Sequence, residues 1–145
     1  MDADTLLASH AAAVSAQIGH SKRTSTSELR DYGMRNFTPL QFLGVFPANR
    51  EPPRTRHRSF YIMNTEPSAE AGEHWIAVGR EPGRADLVFD SFGRSPGPGW
   101  MPHLAGAAVT DTDPNQRVSD ANCGQISMGW GHVFTRNGYD VAQLC

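Results

Sequence analysis

The sequence predicts an α+β fold in which a small, mostly antiparallel sheet packs against one central helix. The chain has 145 residues, 39% of them apolar and 19% charged, a balance typical of one globular domain with a sizeable core. Short apolar, β-prone segments follow one another through the middle of the chain, and a longer helical pattern begins at Cys123. The 14 glycines and 10 prolines also predict many turns.

The N-terminal part is predicted to be helical. Apolar side chains recur at helical spacing over residues 4–18, and Asp4 is the expected N-cap. The apolar face is rich in alanine, so we expect this helix to dock only shallowly. A polar linker over residues 20–25 follows. Ser25 and Glu28 then form a capping-box pattern for a short helix that Gly33 is expected to end.

The central part is predicted to form the sheet. Four segments have strand composition, and a fifth is weaker because it contains Gly106 and two alanines. The segments are 40–46, 58–64, 74–78 and 85–90, with 105–110 as the fifth. The EPGR sequence at 81–84 predicts a hairpin turn between the third and the fourth. Residues 123–136 are predicted to be helical, and the glycines within that segment indicate close packing.

Composition excludes several classes of protein. Two cysteines, Cys123 and Cys145, are too few for a disulfide scaffold or an all-cysteine zinc site, and we expect no metal and no cofactor. The apolar runs are too short for a membrane span, and the acidic N-terminus is unlike a secretory signal. The net charge of −2 does not favour nucleic-acid binding, despite a basic cluster over residues 50–58.

Cys123 is the first candidate for chemistry. It stands at the predicted start of a helix, where Asp120 or Asn122 can cap and Gly124 lets the backbone turn tightly. The positive end of a helix dipole stabilises a thiolate, which is the nucleophilic form of cysteine. The alternative from position alone is a small buried apolar side chain. Cys145 is expected to be an ordinary exposed thiol, with a regulatory disulfide as the alternative.

His74 and Asp90 are candidates for the partners of this thiol. His74 begins one predicted strand and Asp90 ends the next. A hairpin turn centred on Pro82 and Gly83 sets His74 opposite Ser91, and a slip of one residue or a small bulge brings Asp90 opposite instead. A carboxylate there would fix the tautomer of the imidazole. The alternative is that Asp90 only caps the turn. Gln116, seven residues before Cys123, could direct its amide at an oxyanion.

The order HW, FDSFG and Q-x6-CG resembles the adenovirus proteinase (adenain) family, within the wider group that includes the SUMO and ubiquitin-like-protein proteases. The FLGVFP sequence at 42–47 is also similar to the N-terminal strand region of adenain. The resemblance covers roughly residues 28–136. The acidic residue of the motif, Asp90, is of the SUMO-protease type, because adenain commonly has Glu at this place. The spacing between Gln116 and Cys123 matches adenain instead.

The resemblance implies a papain-like core with a permuted residue order and a thiol endopeptidase activity. Cys123 would be the nucleophile, His74 the general base and then acid, and Asp90 the residue that orients it. Gln116 and the Cys123 N–H would form the oxyanion hole, and Trp75 and Gly124 would bind substrate. The catalytic domain would comprise residues 25–145, after an N-terminal helix and linker at 1–24.

The resemblance also implies a biological setting. The expected substrates are viral precursor polypeptides cut after small residues such as Gly, in the virion or in the reducing nucleus or cytoplasm of a host cell. A disulfide-linked activating peptide is not expected, because no cysteine stands near Ala105. The alternatives are a deubiquitinase or deSUMOylase, and an inactive family member that serves as a virion structural or binding protein.

Overall fold

A computed structural model describes residues 2–65, 74–93, 102–111 and 122–145. Within these segments the chain forms four α-helices, one 3-10 turn and a five-stranded sheet, which confirms the α+β class. In chain order the elements are α1 (Ala3–Ile18), α2 (Thr26–Asn36), β1 (Phe42–Phe46), β2 (Ser59–Asn64), β3 (Trp75–Arg80), β4 (Leu87–Phe89), the 3-10 turn (Pro102–Leu104), β5 (Ala108–Val109), α3 (Cys123–Asn137) and α4 (Tyr139–Gln143).

The five strands lie in the order in which they occur along the chain, β1-β2-β3-β4-β5. The three central strands are antiparallel, as predicted, whereas β1 pairs parallel to β2 and β5 pairs parallel to β4. The sheet is therefore mixed. The reason is that the two outer strands join the sheet through long connections, and parallel pairing needs such a connection where a tight turn would give an antiparallel pair.

The helix α3 packs against one face of the sheet, and glycines bring the two backbones close together. A Cβ atom at Gly79 would come within 2.7 Å of the Trp130 ring, and one at Gly131 would overlap the Phe60 ring. Glycine at both positions lets a helix and a strand carrying large aromatic rings approach each other. The close packing predicted from the glycines of α3 is thus confirmed, and this face holds the larger core. A smaller core around Tyr61 and Leu104 covers the other face.

The helix α1 belongs to the main core. Its residues Ala3, Leu7 and Val14 are buried there, and the backbone of Ala11 lies so close to Gly129 that a Cβ at that glycine would come within 2.8 Å of it. The expectation that this helix docks only shallowly is therefore wrong. Its alanines are small enough to let α1 approach α3 closely. The division of the chain at residue 24 stays a prediction.

The N-terminal helices differ from the prediction in two details. The N-cap of α1 is Asp2, whose side chain accepts a hydrogen bond from the Thr5 N–H at 2.7 Å, and Asp4 lies in the first turn. The capping box of Ser25 and Glu28 is present at the start of α2. Gly33 does not end α2, since the helix continues to Asn36. The Phe42 ring packs where a side chain at position 33 would stand, which explains the glycine there.

Cys145 is buried at 2% exposure, so the prediction of an exposed thiol is wrong. Its Sγ lies 3.7 Å from the carbonyl oxygen of Ala3, because α4 returns the chain to the start of α1. Burial raises the pKa of this thiol to about 12, and nearby Asp4 adds to the effect. No helix in the described segments is long and apolar enough to cross a bilayer.

Candidate active site

The structure brings three of the predicted site residues together at one end of the sheet. His74 directly precedes β3, Asp90 directly follows β4, and Cys123 is the first residue of α3. All three are buried, with exposures of 5%, 3% and 4%. Strand ends and a helix start supply the three groups, so each side chain is held by a regular element.

His74 and Asp90 form a short hydrogen-bonded pair, with 2.6 Å between Nε2 and Oδ1. The pairing of Ala77 with Phe89 and of Gly79 with Leu87 shows that the hairpin register differs by one residue from the predicted one. Continued past the strand ends, this register sets His74 opposite Phe92, with Asp90 on the diagonal. A diagonal neighbour remains within reach of long side chains. The pair therefore forms, but by a different geometry from the one-residue slip that the sequence predicted.

The Cys123 sulfur lies beside this pair. The backbone N–H of Trp75, the residue after His74, donates to Sγ at 3.4 Å. As the first residue of α3, Cys123 stands where four backbone N–H groups have no partner within the helix. Asn122 is the N-cap but makes no side-chain capping bond. The described start of the helix thus leaves its positive end open toward the sulfur.

The environment favours the charged imidazolium of His74. Burial is the largest influence and would lower its pKa, but the hydrogen bond to Asp90 and the nearby Asp90 and Cys123 side chains raise the pKa above its ordinary value. Asp90 occupies Nε2, so Nδ1 is the nitrogen left for the thiol. Within the described residues Nδ1 makes no hydrogen bond.

Trp75 and Gly124, which the sequence predicts to bind substrate, lie in the protein interior. Trp75 is 3% exposed, and its indole N–H donates to the Thr24 carbonyl at 3.2 Å. A Cβ at Gly124 would overlap the Thr24 side chain. Both residues therefore pack in the interior, and their contact with substrate stays a prediction.

Sequence reasoning missed two residues that support this site. Gln125 is fully buried in the first turn of α3, and its amide donates to the carbonyls of His20 and Lys22 at 3.1 and 2.9 Å. It ties the linker to the helix that carries Cys123. Phe92 stacks on the His74 ring. No sequence motif marks an aromatic or amide residue that supports a nucleophile. Phe92 at least lies within the FDSFG sequence, whereas nothing in the sequence singles out Gln125.

Gln116 lies outside the described residues, and its role in an oxyanion hole stays a prediction. His132 is buried among packed side chains, with its Nε2 at 2.7 Å from the Tyr32 hydroxyl. In the described segments no group of three or more His, Cys, Asp or Glu side chains is placed to hold a metal ion.

Part of the basic cluster at 50–58 is neutralised by ion pairs. Arg54 makes a bidentate pair with Asp86 at 2.9 and 2.8 Å, and Arg58 pairs with Glu81 at 2.7 Å. These carboxylates reduce the positive charge that the cluster offers to a phosphate backbone.

No family model matches the chain, and no curated protein matches it. The arrangement of His74, Asp90 and Cys123 is therefore the basis on which a function can be assigned.

Proposed function

We propose that this protein is a cysteine endopeptidase that uses Cys123 as nucleophile, His74 as general base and acid, and Asp90 to orient the imidazole. The observation that carries the proposal is the buried 2.6 Å pair of His74 and Asp90, with the Cys123 sulfur held beside His74 by the N–H of the next residue, Trp75, at 3.4 Å. A nucleophile, a base within its reach and a third group that orients the base are the parts that covalent catalysis requires.

The chemistry follows from these positions. The Cys123 sulfur, its proton on His74, attacks the scissile carbonyl carbon and forms a C–S bond. His74 then gives its proton to the leaving amine as the C–N bond breaks, which leaves an acyl-enzyme. A water molecule attacks the thioester while His74 takes its proton, and the acid product and the thiol are released. Asp90 stabilises the imidazolium in each step.

The oxyanion would be held at the start of α3. The Cys123 N–H, at the first helical position, belongs to the group of helix N–H donors without an intrahelical partner. Together with the Gln116 amide, which the sequence places seven residues earlier, it would supply the oxyanion hole. The positive end of the α3 dipole adds to the stabilisation.

The substrate class comes from the resemblance to the adenain family. It supports cleavage of viral precursor polypeptides after small residues such as Gly, in a virion or in the nucleus or cytoplasm of a host cell. The buried position of Cys123 agrees with a narrow approach to the sulfur, which would disfavour bulky side chains next to the scissile bond.

The test is cleavage of a peptide library with varied residues before the scissile bond. The wild-type chain should cleave after Gly, and Cys123→Ala and His74→Ala should each abolish cleavage. Cys145→Ala is the matched control, because it removes the other buried thiol, which contacts the Ala3 carbonyl and not His74 or Asp90, and should keep the activity. Cleavage that survives Cys123→Ala would overturn the proposal. Labelling by a ubiquitin or SUMO C-terminal electrophile would instead place the substrate among ubiquitin-like proteins.

A further inference from the structure

Phe92 lies in a turn that the sequence D-S-F-G builds directly after β4. Its backbone N–H donates to Asp90 Oδ1 at 2.9 Å, and the Gly93 N–H donates to the Asp90 carbonyl at 2.8 Å. Gly93 has φ of 72°, a left-handed conformation that glycine adopts without strain. An aspartate that accepts from the second residue onward is a common turn motif, and here it fixes where the Phe92 ring lies.

The Phe92 ring covers one face of the His74 imidazole. The two ring centroids are 4.1 Å apart and the ring planes differ by 11°, so the rings are stacked nearly parallel. The same Asp90 oxygen accepts both the Phe92 N–H and the bond with His74 Nε2. Phe92 therefore acts on the pair twice, through its backbone on the carboxylate and through its side chain on the imidazole.

We propose that Phe92 is a positioning residue of this site, which holds the His74 imidazole in its bond to Asp90 and in the orientation needed to exchange a proton with the Cys123 thiol. The inference rests on the proposed function, because it concerns the same histidine and cysteine. Asp90 fixes one edge of the imidazole but leaves the ring free to tilt about the Nε2–Oδ1 line. A ring stacked against the face removes that freedom.

The stack also favours the protonated state on which the chemistry depends. A cation over the face of an aromatic ring is attracted by the electrons of that ring. In the thiolate–imidazolium form of the pair the imidazole carries the positive charge, so stabilising that charge favours this form. The half-buried Phe92 ring also keeps water from that face of the His74–Asp90 bond.

The experiment compares Phe92→Leu with Phe92→Tyr. Leucine keeps the backbone N–H to Asp90 and removes the aromatic face, whereas tyrosine keeps both. Two quantities are measured: the pKa of His74 by NMR titration, and the rate of Cys123 alkylation by iodoacetamide at pH 7, followed by mass spectrometry. We expect Phe92→Leu to lower the His74 pKa and to slow alkylation roughly 3- to 10-fold, and Phe92→Tyr to restore both.

The control is Phe37→Leu. Phe37 contacts a different histidine, His132, with 4.4 Å between ring centroids, so this variant loses an aromatic–imidazole contact away from the site. Both His74 pKa and Cys123 alkylation should stay at the wild-type values. A circular dichroism spectrum unchanged from wild type would show that each variant is folded.

The outcomes separate this inference from the proposed function. If alkylation of Cys123 falls in His74→Ala but not in Phe92→Leu, and the His74 pKa is the same in Phe92→Leu as in wild type, the positioning role is refuted and the peptidase proposal stands. If wild-type Cys123 is not alkylated at all between about pH 6 and 7, the peptidase proposal fails and the positioning role fails with it.

Discussion

Acidification from about pH 6.5 to about pH 4 should destabilise this protein through His132. The side chain is 5% exposed, hydrogen-bonds to the Tyr32 hydroxyl at 2.7 Å, and stacks on His10 with 5.1 Å between centroids. Its Nδ1 has no hydrogen-bond partner among the described residues. Burial lowers the pKa of His132 to about 4, and the charges of His10 and Arg136 add to that effect.

The sign follows from the order of the two pKa values. The unfolded chain binds a proton at His132 near pH 6.5, whereas the folded protein binds it only near pH 4. Between these values the unfolded state holds more protons, so the free energy of unfolding decreases as the pH falls. The separation of the two values corresponds to at most about 3 kcal/mol, all of it lost once the pH is below both.

The assay is urea unfolding at a series of pH values for the wild type and for His132→Gln. Glutamine keeps a polar partner for the Tyr32 hydroxyl but does not titrate. The variant should be less stable than the wild type at pH 7, because it loses ring packing, and the difference should shrink by up to about 3 kcal/mol by pH 4. His57→Gln is the control, because His57 is exposed.

A difference between wild type and His132→Gln that stays constant from pH 6.5 to pH 4 would refute this reasoning. The pH dependence that His74 contributes cancels in this difference, because the wild type and the variant both contain His74. Its raised pKa has the opposite sign: the stability that it contributes is complete below its unfolded pKa and is lost as the pH rises through the folded value.

Four further substitutions have defined outcomes. Gly131→Ala should lower the free energy of unfolding by about 1–3 kcal/mol, because the new methyl group overlaps the fully buried Phe60 ring. Gly106→Ala, which meets nothing within 4 Å, should be nearly neutral in the same urea experiment. Gln125→Met should cost about 1–3 kcal/mol and speed hydrogen exchange in the linker that its amide holds. Asp90→Asn should lower the pKa of its histidine partner in an NMR titration, and an unchanged pKa would contradict the charge pairing.

Much of the fold could be predicted because local patterns decide it. Short runs of apolar, β-prone residues located every strand of the described sheet, and the Ser25–Glu28 capping box fixed the start of α2. The glycines of α3 were correctly interpreted as points of close approach. These signals lie within a few residues of the feature that they predict.

The errors came from contacts between distant parts of the chain. The hairpin register was wrong by one residue because the connection between β3 and β4 is longer than a tight turn. Asp86 is held in that connection by Arg54, 32 positions away, which local turn chemistry does not reveal. Cys145 was expected at the surface because its burial depends on the start of α1. The contact between Phe92 and His74 was missed because it depends on that same register.

The two ends of the described chain lie side by side. The Cys145 thiol donates to the Ala3 carbonyl across 3.7 Å, and both residues belong to the main core. A circular permutant could therefore join these ends with a short linker and open the chain at the exposed turn around Gly83. In the permuted sequence Asp90 would come first, then Cys123, then His74, and the distances between their side chains would be unchanged. Such a molecule would separate what the hairpin connection contributes to the His74–Asp90 bond from what the surrounding packing contributes.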